Sequence, residues 1–196
     1  MTTFTYCFVD AEFDGPVPGA NSMLSFACAA YSEDGIEIAE FVRSLYPLEG
    51  ATQDSRTMGW WKTEPEAWAA TQTDQVSPDV AMTAFTRWVR RLPGDVIFAA
   101  APLMGDGLWL DFYLQKFTQD RIAMPFGDDP LFVGDGLDVM SYVQAVLGLA
   151  RTPIRKELPP ELLNGVNHTH LPLDDARGHA AVFFNARRKA REKSAP

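Results

Sequence analysis

This sequence of 196 residues is 46% hydrophobic, which is enough for one substantial core, and a single domain over residues 1–196 is expected. It contains no stretch of the roughly 20 apolar residues that a membrane span needs, and its amino terminus lacks the pattern of a signal peptide. A cytoplasmic protein without membrane contact is therefore expected. The formal net charge of −9 argues against a protein that holds long duplex DNA by general electrostatic attraction. Cys7 and Cys28 fall in apolar runs and are predicted to be free buried thiols.

Hydrophobic periodicity predicts strands and helices that follow one another along the chain. The predicted strands cover residues 5–13, 23–31, 36–43, 96–101 and 131–133. The predicted helices cover residues 64–71, 78–91, 107–118, 137–149 and 173–193, and residues 153–169 are expected to form a long loop. The turn sequence Ser32-Glu-Asp-Gly35 joins the second and third strands into a hairpin. This order predicts an α/β fold in which a mixed sheet is flanked by helices.

Two carboxylates of the first predicted strand, Asp10 and Glu12, are expected on one face of the sheet, because side chains two residues apart in a strand share a face. Two buried like charges this close are unfavourable unless a cation holds them together. Carboxylate oxygens are suited to Mg²⁺ or Mn²⁺. An Asp-x-Glu pair is a weak signal when it is taken alone, so its weight depends on the rest of the chain.

Further candidate residues come later in the chain. Asp111 lies in the predicted helix 107–118, and His170 stands five residues before Asp175, at the start of the last predicted helix. Each has a simpler explanation. Asp111 could be an exposed helical acid, and Asp174 could cap the last helix while Asp175 is solvated. His168 is close enough along the chain to compete with His170 for the same role.

This chain order of a strand acid pair, a helical aspartate and a His-x4-Asp pair resembles the DEDDh 3′–5′ exonucleases. That group includes the proofreading subunit of DNA polymerase III, ribonuclease T and oligoribonuclease. The resemblance implies a ribonuclease H-like mixed sheet flanked by helices. It also implies Mg²⁺ or Mn²⁺ as the cofactor, with two ions per site. It also implies that His170 is the general base. The implied catalytic carboxylates and metal ligands are Asp10, Glu12, Asp111 and Asp175.

The segment Thr57-Met-Gly-Trp60-Trp61 narrows the resemblance, because it looks like the compact bacterial and phage exoribonucleases of the DEDDh group. This likeness implies a preference for RNA, and relatives of this kind are often homodimers. The chain departs from the pattern at Asp106, where relatives often carry His or Asn five residues before the third acid.

Candidate substrate contacts lie close to the acid pair. Phe13 directly follows the acids and is predicted to touch the 3′-terminal nucleotide, and Met23 and Leu24 are predicted to line the same pocket. Adjacent tryptophans cannot both point into one core from a regular strand. One of Trp60 and Trp61 is therefore expected to pack while the other stacks on a base, and Trp61 is taken as a substrate contact.

The expected function is a metal-dependent 3′–5′ exonuclease that hydrolyses single-stranded nucleic acid with a free 3′ end, RNA in preference to DNA, to nucleoside 5′-monophosphates. One alternative is a DNA-directed exonuclease with the same chemistry. Another is a non-catalytic nucleic-acid-binding module on the same fold, and the complete set of four acids and a histidine argues against it.

Overall fold

The structure is a computed structural model that describes residues 3–125 and 127–194. Its strands are β1 (Phe4–Phe13), β2 (Met23–Ser32), β3 (Glu37–Ser44), β4 (Asp95–Ala100) and β5 (Leu137–Asp138). They form one sheet in the spatial order β3-β2-β1-β4-β5. The first three strands pair antiparallel, β4 runs parallel to β1, and β5 runs parallel to β4. The sheet is therefore mixed, with β1 at its centre.

Seven α-helices accompany this sheet in the described part of the chain. They are α1 (Ser55–Trp61), α2 (Pro65–Thr71), α3 (Pro78–Val89), α4 (Leu108–Phe117), α5 (Val139–Leu147), α6 (Pro160–Leu163) and α7 (Pro172–Ser194). A π-helical turn, Leu103–Gly107, leads directly into α4. Aspartates cap two of the helices: Asp54 accepts a hydrogen bond from the Thr57 amide at α1, and Asp138 accepts one from the Ser141 amide at α5. None of these helices has the length and apolar character needed to cross a membrane.

The central strand β1 is covered by helices on both faces. Its residue Val9 belongs to a core with Phe85 of α3 and Leu110 of α4. Its neighbour Phe8 belongs to a second core with Phe183 of α7. Because side chains alternate along a strand, these two cores lie on opposite faces of the sheet. The same alternation decides which helix the acids of β1 meet.

The predicted α/β fold, a ribonuclease H-like mixed sheet flanked by helices, is confirmed. The predicted last strand is not: the 131–133 segment contributes one ladder-like hydrogen bond, from the Val133 amide to the Val96 carbonyl, and β5 follows at Leu137–Asp138. Helix α1 was not expected from the sequence. The predicted domain of residues 1–196 includes residues 1, 2, 126, 195 and 196, which lie outside the described residues, and a single domain stays a prediction.

Candidate metal centre at the carboxyl end of β1

Asp10 and Glu12 point to the α7 face of β1, as their spacing predicts. They lie in the same row of side chains as Phe8, and both are buried. The amino-terminal turns of α7 cover this end of the strand and bring Asp175 to the pair. The oxygens that Asp10, Glu12 and Asp175 could offer to a metal ion lie within 4.8 Å of one another. Three of the predicted carboxylates therefore converge.

The fourth carboxylate is Asp106 and not Asp111. Strand β4 ends at Ala100, opposite Val9 of β1, so it leaves the Ala11 amide without a strand partner. The π-helical turn then places Asp106 beside β1, where its Oδ1 accepts a hydrogen bond of 3.3 Å from that amide. Asp106 is buried and lies in a second potential ligand group with Asp10. A wide turn at the end of β4 thus sets this position.

The prediction that Asp111 joins the site is not met by the structure. Its Oδ1 accepts hydrogen bonds from the amides of Ile122 and Ala123, at 2.6 and 3.2 Å, and its Oδ2 accepts one from the Gln115 side chain. These contacts hold the segment that follows α4. Among the described residues, none of the potential ligand groups contains Asp111. Its role is structural, since a carboxylate on the first turn of α4 captures free amides of the next loop.

Asp175 also organises the histidine loop that precedes α7. Its carboxylate accepts hydrogen bonds from the amides of Thr169 and His170, at 3.1 and 2.9 Å, and Nδ1 of His168 lies 2.8 Å from its Oδ2. The alternative in which Asp175 is merely solvated is therefore wrong, since it is fully buried. His170 has a left-handed backbone with φ of 56°, and the hydrogen bond that its backbone N–H donates to Asp175 helps to hold this conformation.

The two loop histidines have different surroundings. His168 is paired with Asp175, whereas Nδ1 of His170 lies 3.9 Å from Oε1 of Glu12, too far for a hydrogen bond. The His170 ring packs edge-on against Trp60, with centroids 4.8 Å apart. The His170 imidazole is thus adjacent to the acids without being tied to them.

His179 is a site residue that sequence reasoning missed. It follows Asp175 by four residues on α7, which places both side chains on one helix face. It is buried, its Nδ1 lies 3.2 Å from the Val9 carbonyl oxygen, and its Nε2 lies 3.8 Å from Oδ1 of Asp10. The i, i+4 spacing was the available signal for it.

Three overlapping groups in the described part of the chain could hold a metal ion. One is Asp10, Glu12 and Asp175, another is Asp10, Asp106 and His179, and the third is His168, His170 and Asp175. The first two groups share Asp10. Within each group the ligand atoms lie within 4.8 Å of one another, which is compatible with a common ion at the usual ligand distances. The residues present therefore fit divalent metal ions.

The electrostatics of the site favour a bound cation. Burial, together with the negative charges of Asp106, Glu12 and Asp175, raises the pKa of Asp10 well above its ordinary value. Burial and the same repulsion raise the pKa of Glu12 to about 9, and burial raises the pKa of Asp106 to about 7. Without bound metal, these carboxyl groups hold protons that a divalent ion would displace.

Nearby cationic and donor groups oppose this trend. Burial favours the neutral form of Asp175, but hydrogen bonds from His168 and the loop amides outweigh it and lower its pKa. Arg155 stabilises the charged form of Asp10. The Arg155 Nη2 donates to the Val166 carbonyl, whereas its Nη1 is buried and has no hydrogen-bond partner among the residues that the structure describes. A guanidinium can approach here because residue 178 is glycine, where a Cβ would lie 3.1 Å from Nη1.

The predicted substrate contacts are mostly core residues. Met23, Leu24 and Trp61 are 0%, 1% and 2% exposed, which leaves no area for a nucleotide. Leu24 and Trp61 pack together with Ala67, and the Trp61 indole donates to the Phe13 carbonyl. Their assignment as substrate contacts is corrected for this reason. Phe13 itself is half-buried and stacks on Trp109, with centroids 4.4 Å apart.

The tryptophan pair divides as expected into one packed and one exposed ring, but in the order opposite to the assignment. Trp60 is 39% exposed and touches both Trp61 and His170. Helix α1 produces this division, because consecutive residues of a helix point in different directions. The exposed indole therefore lies beside the histidine loop.

No protein-family model and no curated protein matches this chain. Solved structures do match it. The zinc-bound form of the E. coli ExoI–ssDNA complex aligns at 12% identity with a TM-score of 0.63, over 100% of this chain and 41% of that chain. S. pombe Pop2p, in a form with Mg²⁺ and Mn²⁺ bound, aligns at 14% identity with a TM-score of 0.68, over 93% and 82% of the two chains. Exonuclease I from Methylocaldum szegediense aligns at 16% identity with a TM-score of 0.63, over 98% and 41%.

The chain shares the fold of these three structures. It spans about two fifths of the length of the exonuclease I chains, 41% in both cases, and most of the length of Pop2p. Two of these three structures contain divalent metal ions. This chain has buried acidic groups that are able to hold such ions at the carboxyl end of its central strand.

Proposed function

We propose that this protein is a 3′–5′ exonuclease that hydrolyses single-stranded nucleic acid to nucleoside 5′-monophosphates with two Mg²⁺ or Mn²⁺ ions. The observation that carries the proposal is the pair of potential ligand groups that share Asp10. Two-metal hydrolysis of a phosphodiester uses two neighbouring ions, and two ligand groups with one carboxylate in common would hold such a pair. The shared exonuclease fold supports the same assignment.

Each side chain has a defined task in this proposal. Asp10, Glu12 and Asp175 would hold one ion, and Asp10 and Asp106 would hold the other. Divalent ions at such a site activate water and offset the negative charge of the reacting phosphate.

His170 accepts the proton of the attacking water. Burial and the neighbouring His168 lower the pKa of His170, so its imidazole is neutral and able to accept a proton at neutral pH. No metal ligand ties it down, because Glu12 is 3.9 Å away. The ring is therefore free to reorient over the site when the substrate binds.

The substrate end is proposed to rest on aromatic side chains near the acids. Trp60 presents an exposed indole beside His170, and Phe13 lies one residue beyond the acid pair. Base stacking on such rings is tolerant of sequence. The net charge of −9 fits a substrate that is gripped locally at its end instead of along its length.

RNA is the proposed preferred substrate, on the basis of the Thr57-Met-Gly-Trp60-Trp61 segment and the exoribonucleases that it resembles. DNA is the second candidate, and one observation favours it: the matched E. coli ExoI structure is a complex with ssDNA.

The likeness to compact exoribonucleases also leads us to propose a homodimer of single-domain subunits, which sedimentation velocity tests.

The decisive experiment is digestion of 5′-labelled single-stranded RNA and DNA of one sequence, with Mn²⁺ and with EDTA. The proposal expects stepwise shortening from the 3′ end, faster on RNA, that stops in EDTA and in the Asp10→Asn variant. A circular RNA of the same sequence is the matched control and should stay intact. Cleavage of the circle, or undiminished digestion by Asp10→Asn, would refute the proposal. Faster digestion of DNA would select the second candidate.

A further inference from the structure

His179 is a buried histidine with one ring nitrogen committed and the other directed at the acids. Only 5% of the residue is exposed. Its Nδ1 lies 3.2 Å from the Val9 carbonyl oxygen, and because a carbonyl only accepts, Nδ1 carries the hydrogen. In the neutral ring, Nε2 is then the nitrogen with a free lone pair. This arrangement is typical of metal-binding histidines, in which a backbone carbonyl fixes the tautomer and the ring orientation.

The free nitrogen is aimed into the centre. It lies 3.8 Å from Oδ1 of Asp10, which is too long for a hydrogen bond and suitable for two ligands of one ion. One potential ligand atom from each of Asp10, Asp106 and His179 can be chosen so that all three lie within 4.8 Å of one another. All three residues are buried. The nitrogen therefore completes a group that the acids alone leave with two side chains.

We propose that His179 is a direct ligand, through Nε2, of the ion held by Asp10 and Asp106. This inference rests on the proposed function, because it concerns the same centre. A neutral imidazole adds a ligand without adding a fifth negative charge to the four carboxylates. Imidazole also favours Mn²⁺ and later transition metals over Mg²⁺, which prefers oxygen ligands. His179 would thus bias one of the two ion sites towards Mn²⁺.

Electron spin-echo spectroscopy of bound Mn²⁺ detects a coordinated imidazole nitrogen without any nucleic acid present. The chain has three histidines, so the double variant His168→Asn/His170→Asn keeps His179 as its only one. Asparagine also suits the left-handed backbone at residue 170. The nitrogen coupling should appear in the parent protein and persist in the double variant. Absence of the coupling from the parent overturns the inference.

The matched variant is His179→Asn, because the asparagine amide can still donate to the Val9 carbonyl while the Nε2 position is lost. It should abolish the nitrogen coupling. Its Mn²⁺ affinity should fall by at least the roughly 10- to 100-fold that loss of an outer-shell partner costs, and its Mg²⁺ affinity should fall much less. An equal fall in the Mn²⁺ and Mg²⁺ affinities would mean that His179 only orients Asp10, and it would overturn the inference. An unchanged Mn²⁺ affinity, or a nitrogen coupling that persists in His179→Asn, would overturn it as well.

Asp10→Asn separates this inference from the proposed function. If that variant binds Mn²⁺ as tightly as the parent protein, the metal centre itself is misplaced and both proposals fail. If Asp10→Asn weakens Mn²⁺ binding and His179→Asn does not, the centre stands and the nitrogen ligand alone is refuted. Calorimetric titration of the metal-free proteins supplies both comparisons.

Discussion

Phe8 and Asp10 are neighbours on one face of β1, and they meet the same helix, α7, in opposite ways. Phe8 packs against Phe183, with ring centroids 5.5 Å apart, inside a fully apolar cluster. Asp10 meets Asp175 and His179, which lie about one to two turns earlier along α7 than Phe183. One strand and one helix therefore form a hydrophobic interface over half of their contact and a cluster of like charges over the other half.

The difference shows how stability and chemistry are divided within a single interface. Burial of the aromatic half stabilises the fold, and this lets the other half hold charges that repel one another. Burial, and after it this repulsion, raises the pKa values of Asp10 and Glu12. Rigid placement of a destabilised group on regular elements is a common property of catalytic centres.

The largest effect is expected from Asp106→Asn, because under the proposed mechanism this carboxylate would hold the second ion. Loss of a metal ligand removes several kcal/mol of transition-state stabilisation, so the rate of RNA shortening should fall by about 10³-fold or more. Asp111→Asn is the matched control and should keep a rate near that of the parent, since an asparagine oxygen still accepts from the Ile122 amide. An inactive Asp111→Asn protein beside an active Asp106→Asn protein would reverse the assignment.

His170→Ala is expected to have the next effect. Loss of a general base typically slows a reaction by roughly 10²- to 10⁴-fold. Metal binding should change little, because the imidazole lies 3.9 Å from Glu12 and the hydrogen bond from the residue 170 amide to Asp175 is kept in the variant. His168→Ala should be milder, since it removes only one of the contacts to Asp175. Single-turnover cleavage of a short RNA at saturating Mn²⁺, from pH 6 to 9, compares the two. A slower His168→Ala enzyme would identify the other histidine as the base.

Phe8→Ala tests the apolar half and should lower the free energy of unfolding by about 3 to 5 kcal/mol, as expected for a fully buried phenylalanine. Glu12→Gln is its counterpart in the charged half and should raise the stability of the metal-free protein at neutral pH, because glutamine has nearly the same shape and need not take up a proton on folding. Denaturant unfolding in EDTA measures both. Destabilisation by Glu12→Gln would show that the acids do not strain the fold.

The smallest effect is a pH dependence of stability in EDTA. Glu12 has an ordinary pKa of 4.5 and a folded pKa of about 9, so between these values the folded protein binds more protons than the unfolded chain. Its stability should therefore fall as the pH rises, by up to about 1.4 kcal/mol per pH unit between pH 7 and 9. Glu12→Gln should flatten the slope, and saturating Mn²⁺ should remove it. A stability that rises over this range would contradict the raised pKa.

Much of the fold could be predicted because local patterns determine it. The alternation along β1 correctly placed Asp10 and Glu12 together on one buried face, and the predicted helix at 173–193 matches α7 (Pro172–Ser194) closely. The segment 131–133 was misleading because Leu131 and Phe132 are apolar and buried, yet they pack as an irregular segment. Apolar character predicts burial, and only pairing with a neighbour makes a strand.

The site was harder to predict wherever a non-local contact decides the outcome. The predicted helix over 107–118 carried Asp111, which was assigned to the site. The structure brings Asp106 there instead, through the π-helical turn and the hydrogen bond from the Ala11 amide, neither of which is visible in the sequence. The order of Trp60 and Trp61 likewise depends on how α1 docks. His179 is different: it was missed, although its i, i+4 spacing from Asp175 was present in the sequence.

The hydrogen bond from Ala11 to Asp106 closes a loop of 95 residues, and the contact from Val9 to His179 closes one of 170 residues. Contacts of such long sequence separation form late, since the entropy of closing the chain opposes them. During synthesis β1 emerges before α7, the helix that carries Asp175 and His179 and begins about 160 residues after β1 ends. A growing chain therefore holds only an incomplete set of ligands until α7 has emerged, and the candidate metal centre is completed after most of the sheet has formed.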